Sequence, residues 1–86
     1  MKSSAAFKKA LQTLTTTVVK AEAAQQGANA AAFEALRVAS VAQRELLRET
    51  HAALVAELGA TAAEAELPHA TWFGQTVARA EALFGP

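Results

Sequence analysis

Apolar residues near the start of the chain recur with the period of an α helix. They follow one another at alternating steps of four and three residues, the spacing of a heptad repeat along one helix face. Ser3 or Ser4 is a residue type that caps a helix N-terminus, and Gly27 is a type that ends one. The pattern therefore predicts a first helix over about residues 4–26. Its apolar seam consists of Phe7, Leu11, Leu14, Val18, Ala21 and Gln25.

A second helical pattern begins after Asn29, a capping residue type, and ends before Gly59. The spacing of its larger apolar residues predicts a helix over residues 30–58, in which Leu46 and Val55 lie beside the main apolar face. Gly59 is suited to the position just after a helix C-terminus. The main face consists of Phe33, Leu36, Leu47, Leu54 and Leu58.

The connection between these two helices has two interpretations. A turn at residues 27–29 would make a helical hairpin. A glycine inside a helix costs only about 1 kcal/mol relative to alanine, so one bent, near-continuous helix is the alternative. We expect the hairpin, because Phe33 and Leu36 leave the heptad frame of the first seam.

The C-terminal third predicts a short capped turn and a last helix. Thr61 and Glu64 have the spacing of a capping box over residues 61–67, which Pro68 ends. The last helix is expected over residues 69–84, where Trp72 and Phe73 would anchor it on the other helices. Its apolar face consists of Phe73, Val77, Ala80 and Phe84.

The composition favours helices but supplies a thin core. Of the 45 apolar residues 24 are alanine, which leaves 21 larger ones in a chain of 86. Burial of each larger side chain contributes about 1.5–3 kcal/mol, against roughly 1.5 kcal/mol for ordering each residue. We therefore expect a single all-α domain, an antiparallel helical hairpin or three-helix bundle with coiled-coil-like packing, that self-associates through the seam of residues 7–25. The expected partners are a second copy of the chain or a helical protein.

Charge is distributed unevenly although the formal net charge is zero. Residues 1–20 carry four lysines and no acid, whereas residues 21–86 carry eight glutamates and four arginines. A cationic first helix is suited to an anionic surface or to an acidic partner helix. Four lysines with Phe7 as their aromatic neighbour make a weak footprint for phosphates, so nucleic acid is not an expected partner.

The sequence argues against an enzyme, a metal site and a cofactor. The chain has no cysteine and no aspartate, which excludes thiolate chemistry and a Ser-His-Asp triad. His51 lacks the lysine and glycine that follow a phosphorelay histidine, and we expect it at the edge of the bundle. Glu66 and His69 have the spacing of di-iron ligands, but Pro68 disrupts the helix that would aim both side chains inward.

The expected location is the cytoplasm. The absence of cysteine fits a reducing compartment, and the apolar runs are shorter than the ~18–20 residues that cross a bilayer. Lys9 and the threonines at 13 and 15–17 interrupt any apolar leader segment, so the sequence argues against a cleaved signal peptide.

Four polar residues interrupt the second helix's apolar face, either as in oligomeric bundles whose register is fixed by polar contacts or as a mild defect near the surface. They are Ser40, Gln43, Thr50 and His51.

Two segments resemble the bacterial phasins, small Ala-, Gln- and Glu-rich helical proteins that coat polyhydroxyalkanoate granules. The likeness lies in residues 29–49, which include Gln-Arg-Glu-Leu-Leu, and in the segment Phe-Gly-Gln-Thr-Val-Ala-Arg-Ala-Glu-Ala-Leu that begins at Phe73. It is a likeness of composition and rhythm. It implies a non-catalytic protein whose amphipathic helices bind a hydrophobic granule or membrane surface.

The expected function is therefore binding, with the first helix making the contact. An alternative is a helical adaptor or secretion-type chaperone that holds a partner helix in an apolar groove. A third possibility is that the first helix's stripe is the core of the bundle and its lysines are simply solvated. The expected interaction surface consists of Phe7, Leu11, Leu14, Val18, Lys8, Lys9, Phe33, Leu36, Leu47, Leu54, Trp72 and Phe73.

Overall fold

A computed structural model describes residues 2–59 and 70–86 and shows three α helices in these ranges. They are α1 (Lys2–Gln26), α2 (Ala30–Leu58) and α3 (Ala70–Phe84). The predicted bounds of all three agree within two residues. The predicted capped turn at 61–67, together with Pro68, lies outside the described residues.

The start of α1 differs from the prediction. Ser3 and Ser4 lie inside the first turn and are not N-caps, because the helix already begins at Lys2. The Ser3 hydroxyl donates a hydrogen bond to the Glu57 carboxylate of α2, and Ser4 is buried. Contacts with the rest of the bundle therefore hold this end of α1, in place of the local cap that the sequence suggests.

A tight turn joins α1 and α2, so the hairpin interpretation is confirmed. The Gly27 N–H donates to the Ala23 carbonyl at 2.9 Å and ends α1. Ala28 then adopts a φ of 54°, in the left-handed region that alanine rarely occupies. The Asn29 side chain accepts a hydrogen bond from the Ala32 N–H at 3.1 Å, which is the N-cap predicted for α2.

The core lies between the predicted faces of the helices. The seam of α1 is buried from Phe7 to Ala21, while its last predicted member, Gln25, is exposed. The seam predicted to drive self-association is thus occupied by the chain's own helices. The buried apolar residues are Phe7, Ala10, Leu11, Leu14, Val18, Ala21, Leu47, Leu54 and Ala80.

The third helix runs parallel to α1 and packs on the hairpin through its predicted face. Near its start the Phe73 ring lies 5.7 Å from the Phe7 ring, and further along Arg79 forms an ion pair with Glu22. Ala80 is fully buried, and Phe73, Val77 and Phe84 pack against the core. The chain therefore forms the predicted all-α helical bundle, with dimensions of 42 × 19 × 19 Å.

Polar contacts hold the C-terminal ends of the helices. Gly59 adopts a φ of 83° and its N–H donates to the Val55 carbonyl at 2.7 Å, so its predicted role at the end of α2 is confirmed. Arg44 donates to the Gly85 carbonyl at 2.8 Å, and its guanidinium lies 6.0 Å from the centre of the Phe84 ring. The end of α3 is thereby attached to the middle of α2.

Candidate interaction surface

The apolar stripe of α1 lies inside the closed bundle. Phe7 is 2% exposed, and Leu11, Leu14 and Val18 are completely buried. This position corresponds to the third possibility, in which the stripe is bundle core. In the closed state a partner or a surface cannot reach these four side chains.

The expected interaction residues of α2 divide into buried and partly buried groups. Leu47 and Leu54 belong to the core with Phe7 and its neighbours. Phe33 and Leu36 are half-buried, and the Phe33 ring lies 5.4 Å from the Phe84 ring at the C-terminal end of α3. Phe33 therefore helps to hold α3 against the hairpin.

An aromatic cluster closes the bundle at the N-terminal end of α3. The His51 ring stacks on the Phe73 ring with centroids 4.4 Å apart, and it lies 5.5 Å from the Phe7 ring. His51 is half-buried, at the edge of the core where the sequence places it. Phe73 contacts both α1 and α2, which gives it the anchoring position that the sequence predicts.

Trp72, the neighbour of Phe73 in α3, lies at the surface beside Lys8 of α1. The Trp72 side chain is 38% exposed and lines a depression of about 260 Å³ with Lys8, Leu11 and Gln12. Lys8, Lys9 and Lys20 are exposed, and α1 carries no acidic residue before Glu22. Lys9 and Lys20 lie about a third of a turn around α1 from Lys8. We refer to the three lysines and Trp72 together as the cationic face, in which Lys8 lies beside Trp72.

A second exposed surface consists of apolar residues of α2. Val38, Val41 and Leu46 are 57%, 53% and 51% exposed. Between and before them lie exposed alanines, and we call the whole surface the outer face of α2. It was not predicted, because its alanines are good helix formers and give no strong apolar signal of their own. Its residues are Ala31, Ala35, Val38, Ala39, Val41, Ala42 and Leu46.

The polar residues that interrupt the inner side of α2 bond mainly to their own helix. Ser40, fully buried, donates to the Arg37 carbonyl at 2.7 Å, and Thr50 donates to the Leu46 carbonyl at 2.8 Å. The buried Gln43 Oε1 accepts no hydrogen bond from any described residue. The hydroxyls of Ser40 and Thr50 are therefore satisfied within α2 itself.

The described residues include two exposed ion pairs, one within α2 and one between α1 and α3. Arg37 donates to Glu34 through Nε at 2.8 Å, and this hydrogen bond lowers the pKa of the Glu34 carboxyl below its ordinary value. A glutamate is already ionised at neutral pH, and the contact with Arg37 favours this charged form further. The Glu22–Arg79 pair links α1 to α3.

An open cavity of about 580 Å³ at the hairpin end is lined mostly by small or apolar side chains, with Glu34 as its charged member. Within residues 2–59 and 70–86, no three His, Cys, Asp or Glu side chains are grouped so that they could hold a metal ion. Glu66 and His69 lie outside these ranges. No described helix is long and apolar enough to cross a membrane.

The described residues form two exposed surfaces with apolar side chains, the cationic face and the outer face of α2. Both are formed by side chains that the fold leaves accessible to solvent. Comparison with known proteins gives no further guide, since no family model, no curated protein and no solved structure matches this chain.

Proposed function

We propose that this chain is a non-catalytic binding protein that attaches to a membrane or to the surface of a hydrophobic granule, as the resemblance to phasins implies. In this proposal the bundle stays closed and the cationic face makes the contact. The observation that carries the proposal is the position of Trp72, 38% exposed and beside Lys8. An aromatic side chain and a cation lie side by side there.

This combination suits the boundary between water and an apolar phase. Tryptophan has an apolar ring system and one polar N–H, and it concentrates at membrane interfaces for this reason. Lysines near an anionic surface contribute roughly 1 kcal/mol each. Lys8, Lys9 and Lys20 can therefore bring the protein to an anionic surface, where Trp72 enters the boundary layer.

A contact through the closed bundle also avoids a large cost. The apolar stripe of α1 could bind a surface only after α1 left the core, which would expose side chains such as Leu11 and Leu14, now completely buried. Burying one leucine contributes roughly 1.5–3 kcal/mol, so opening would sacrifice several such contributions before new contacts formed. The cationic face requires no opening.

Trp72 itself provides the assay, because the chain has one tryptophan and no tyrosine. Vesicles that contain phosphatidylglycerol should shift the emission of Trp72 to shorter wavelength and carry the protein into the pellet. Vesicles of pure phosphatidylcholine should do so much less, because the lysines then lack an anionic target. Isolated polyester granules form a parallel arm of the same sedimentation assay.

Two sets of variants test which side chains make the contact. Replacement of both Lys8 and Lys9 by glutamine should weaken binding to anionic vesicles by at least about tenfold. Trp72→Ala should weaken binding to vesicles and granules alike. Arg37→Gln, which removes a partly exposed cation from α2, is the matched control and should change binding little.

Three results would contradict the proposal. One is the absence of any pelleting with anionic vesicles and granules, and another is binding unaffected by the lysine and tryptophan substitutions. The third result would favour the adaptor alternative: this chain stays in the supernatant and elutes with one other protein in a stoichiometric complex.

A further inference from the structure

The outer face of α2 lies on the side of the helix opposite the core. Leu47 and Leu54 face inward and are 0% and 1% exposed, whereas Val38 lies about half a turn away from them and is 57% exposed. The face therefore carries aliphatic side chains that neither α1 nor α3 covers. In water, this arrangement favours burial against another apolar surface.

The spacing of the face suits a second helix. Ala31, Ala35, Val38 and Ala42 follow one another at steps of four, three and four residues, which is a heptad seam. Small side chains along a seam allow two helix axes to approach closely. Val41 and Leu46 lie along the two edges of this seam, where they would border the contact.

We infer that this face binds the same face of a second copy of the chain, with the two α2 helices antiparallel and a twofold axis close to Val41. The occupant is a second copy because the charges along the face complement themselves in this orientation. Such an isologous contact uses the same surface of both copies and leaves none of it free. It therefore gives a dimer and does not extend into larger assemblies.

The charge complementarity rests on Glu34 and Arg48. Glu34 lies seven residues before Val41 and Arg48 lies seven residues after it, so all three share one edge of the face. When two copies meet antiparallel about Val41, Glu34 of each lies opposite Arg48 of the other. Two opposite-charge pairs then flank the two Val41 side chains. Glu34 pairs with Arg37 of its own helix but stays exposed, as does Arg48, so a second copy can reach both charges.

Two further glutamates favour the antiparallel orientation over the parallel one. Glu45 and Glu49 continue the seam beyond Ala42. In a parallel pair each would face its own copy, and like charges opposite each other are destabilising. In the antiparallel pair they face Ala35 and Ala31 at the ends of the contact, where their carboxylates can extend into water.

The inference goes beyond the proposed function and does not depend on it. The outer face of α2 shares no residue with the cationic face of α1 and α3. A dimer formed through α2 leaves Lys8, Lys9 and Trp72 exposed in both copies. Failure of the vesicle assay would therefore not affect the dimer, and a monomer would not affect the vesicle result.

The mass of the full chain in solution is the first test. Light scattering at tens of micromolar should give the mass of a dimer, and Val38→Lys should give a monomer with unchanged helicity, because Val38 is on the surface. Val19→Lys is the matched control: Val19 is 51% exposed on α1, and this variant should remain dimeric. A monomeric wild-type chain, or a dimer that Val38→Lys leaves intact, would overturn the inference.

Charge exchange and cross-linking test the orientation. Arg48→Glu should raise the dissociation constant of the dimer about tenfold, because two exposed attractions become repulsions, and adding Glu34→Arg should restore most of the affinity. In a chain without other cysteines, Val41→Cys should be joined into a covalent dimer by a short bismaleimide more efficiently than Val19→Cys. If Val38→Cys cross-links better than Val41→Cys, the helices are parallel and the inference is wrong.

Discussion

The apolar stripe of α1 and the outer face of α2 show how one kind of pattern leads to two different outcomes. Both are heptad-spaced apolar surfaces on neighbouring helices. The α1 stripe contains large side chains, Phe7 and Leu11 among them, and the chain's own helices cover it completely. The outer face of α2 consists of alanines, valines and one leucine, and it stays in contact with water.

The difference shows that large apolar residues at heptad spacing can belong to the core of the same chain and need not form a binding surface. Large side chains contribute most when they are buried, so a small chain with a thin core uses them within its own fold. Among the described residues, the exposed large apolar ones are Val19, Val38, Val41, Leu46 and Trp72. The outer face of α2 and the cationic face contain four of these five, and they are the surfaces that we propose for recognition.

Leucine truncation should give the largest contrast between the two regions. Leu14→Ala removes a completely buried side chain of α1 and should lower the free energy of unfolding by about 3 kcal/mol. Leu46→Ala removes the same atoms at a position 51% exposed, and should cost the monomer less than about 1 kcal/mol. Urea unfolding followed by circular dichroism measures both. Equal losses would show that the stripe of α1 is not the core.

A disulfide across the interior should stabilise the bundle by a similar amount. The hydroxyl oxygens of Thr15 in α1 and Thr76 in α3 lie 3.4 Å apart. Replacing both by cysteine in a chain that has none should allow a bond that closes a long loop and adds about 2–4 kcal/mol. Unfolding with and without reductant gives the difference. If oxidation forms no intramolecular bond, then α3 does not lie beside α1 as described.

One glycine in the turn between α1 and α2 should raise the stability of the bundle. Ala28 has a φ of 54°, a conformation that costs roughly 1–2 kcal/mol for a residue with a side chain. Ala28→Gly should therefore raise the free energy of unfolding by about 1 kcal/mol. Ala23→Gly, four residues before Gly27 in the last part of α1, should lower it by a similar amount. The same sign for both variants would contradict the hairpin geometry.

The smallest change in the free energy of unfolding is expected at the exposed ion pair between α1 and α3. Arg79→Gln removes the pair between Arg79, whose side chain is 45% exposed, and Glu22, whose side chain is 37% exposed. Exposed pairs of this kind contribute about 0.5 kcal/mol, and salt screens them. The variant should therefore be slightly less stable at low ionic strength and equal to the wild type in concentrated salt. A loss that persists in salt would mean that Arg79 acts through packing.

Much of the fold could be predicted from the sequence because the local signals agree with the tertiary structure. Asn29 and Gly59 mark the bounds of α2 by hydrogen bonds that depend on neighbouring residues only. The heptad seam of α1 identifies the core because large apolar side chains at this spacing share one face. The start of α1 could not be predicted, since a contact with Glu57, distant in sequence, holds Ser3.

The interaction surface was harder to predict than the fold. Periodicity along the sequence shows which residues share a face, but it does not show whether that face meets the same chain or another molecule. Leu47 and Leu54 were expected at an interface and lie in the core, whereas Val38 and Val41 were not expected there and are exposed. Trp72 was among the expected interaction residues, but its position beside Lys8 could not be predicted because it depends on how α3 packs on α1.

The central claim is that the closed bundle binds surfaces without releasing α1, and one measurement tests it directly. Ser3 and Glu57 touch at the end of the hairpin away from its turn, so a double cysteine variant at these positions can be bridged by a short bismaleimide that holds α1 against α2. Bridged and unbridged protein would be compared in sedimentation with phosphatidylglycerol vesicles. We predict equal binding, because the cationic face stays accessible in both. Loss of binding on bridging, with binding retained by the unbridged variant, would contradict the claim and show that the stripe of α1 must open.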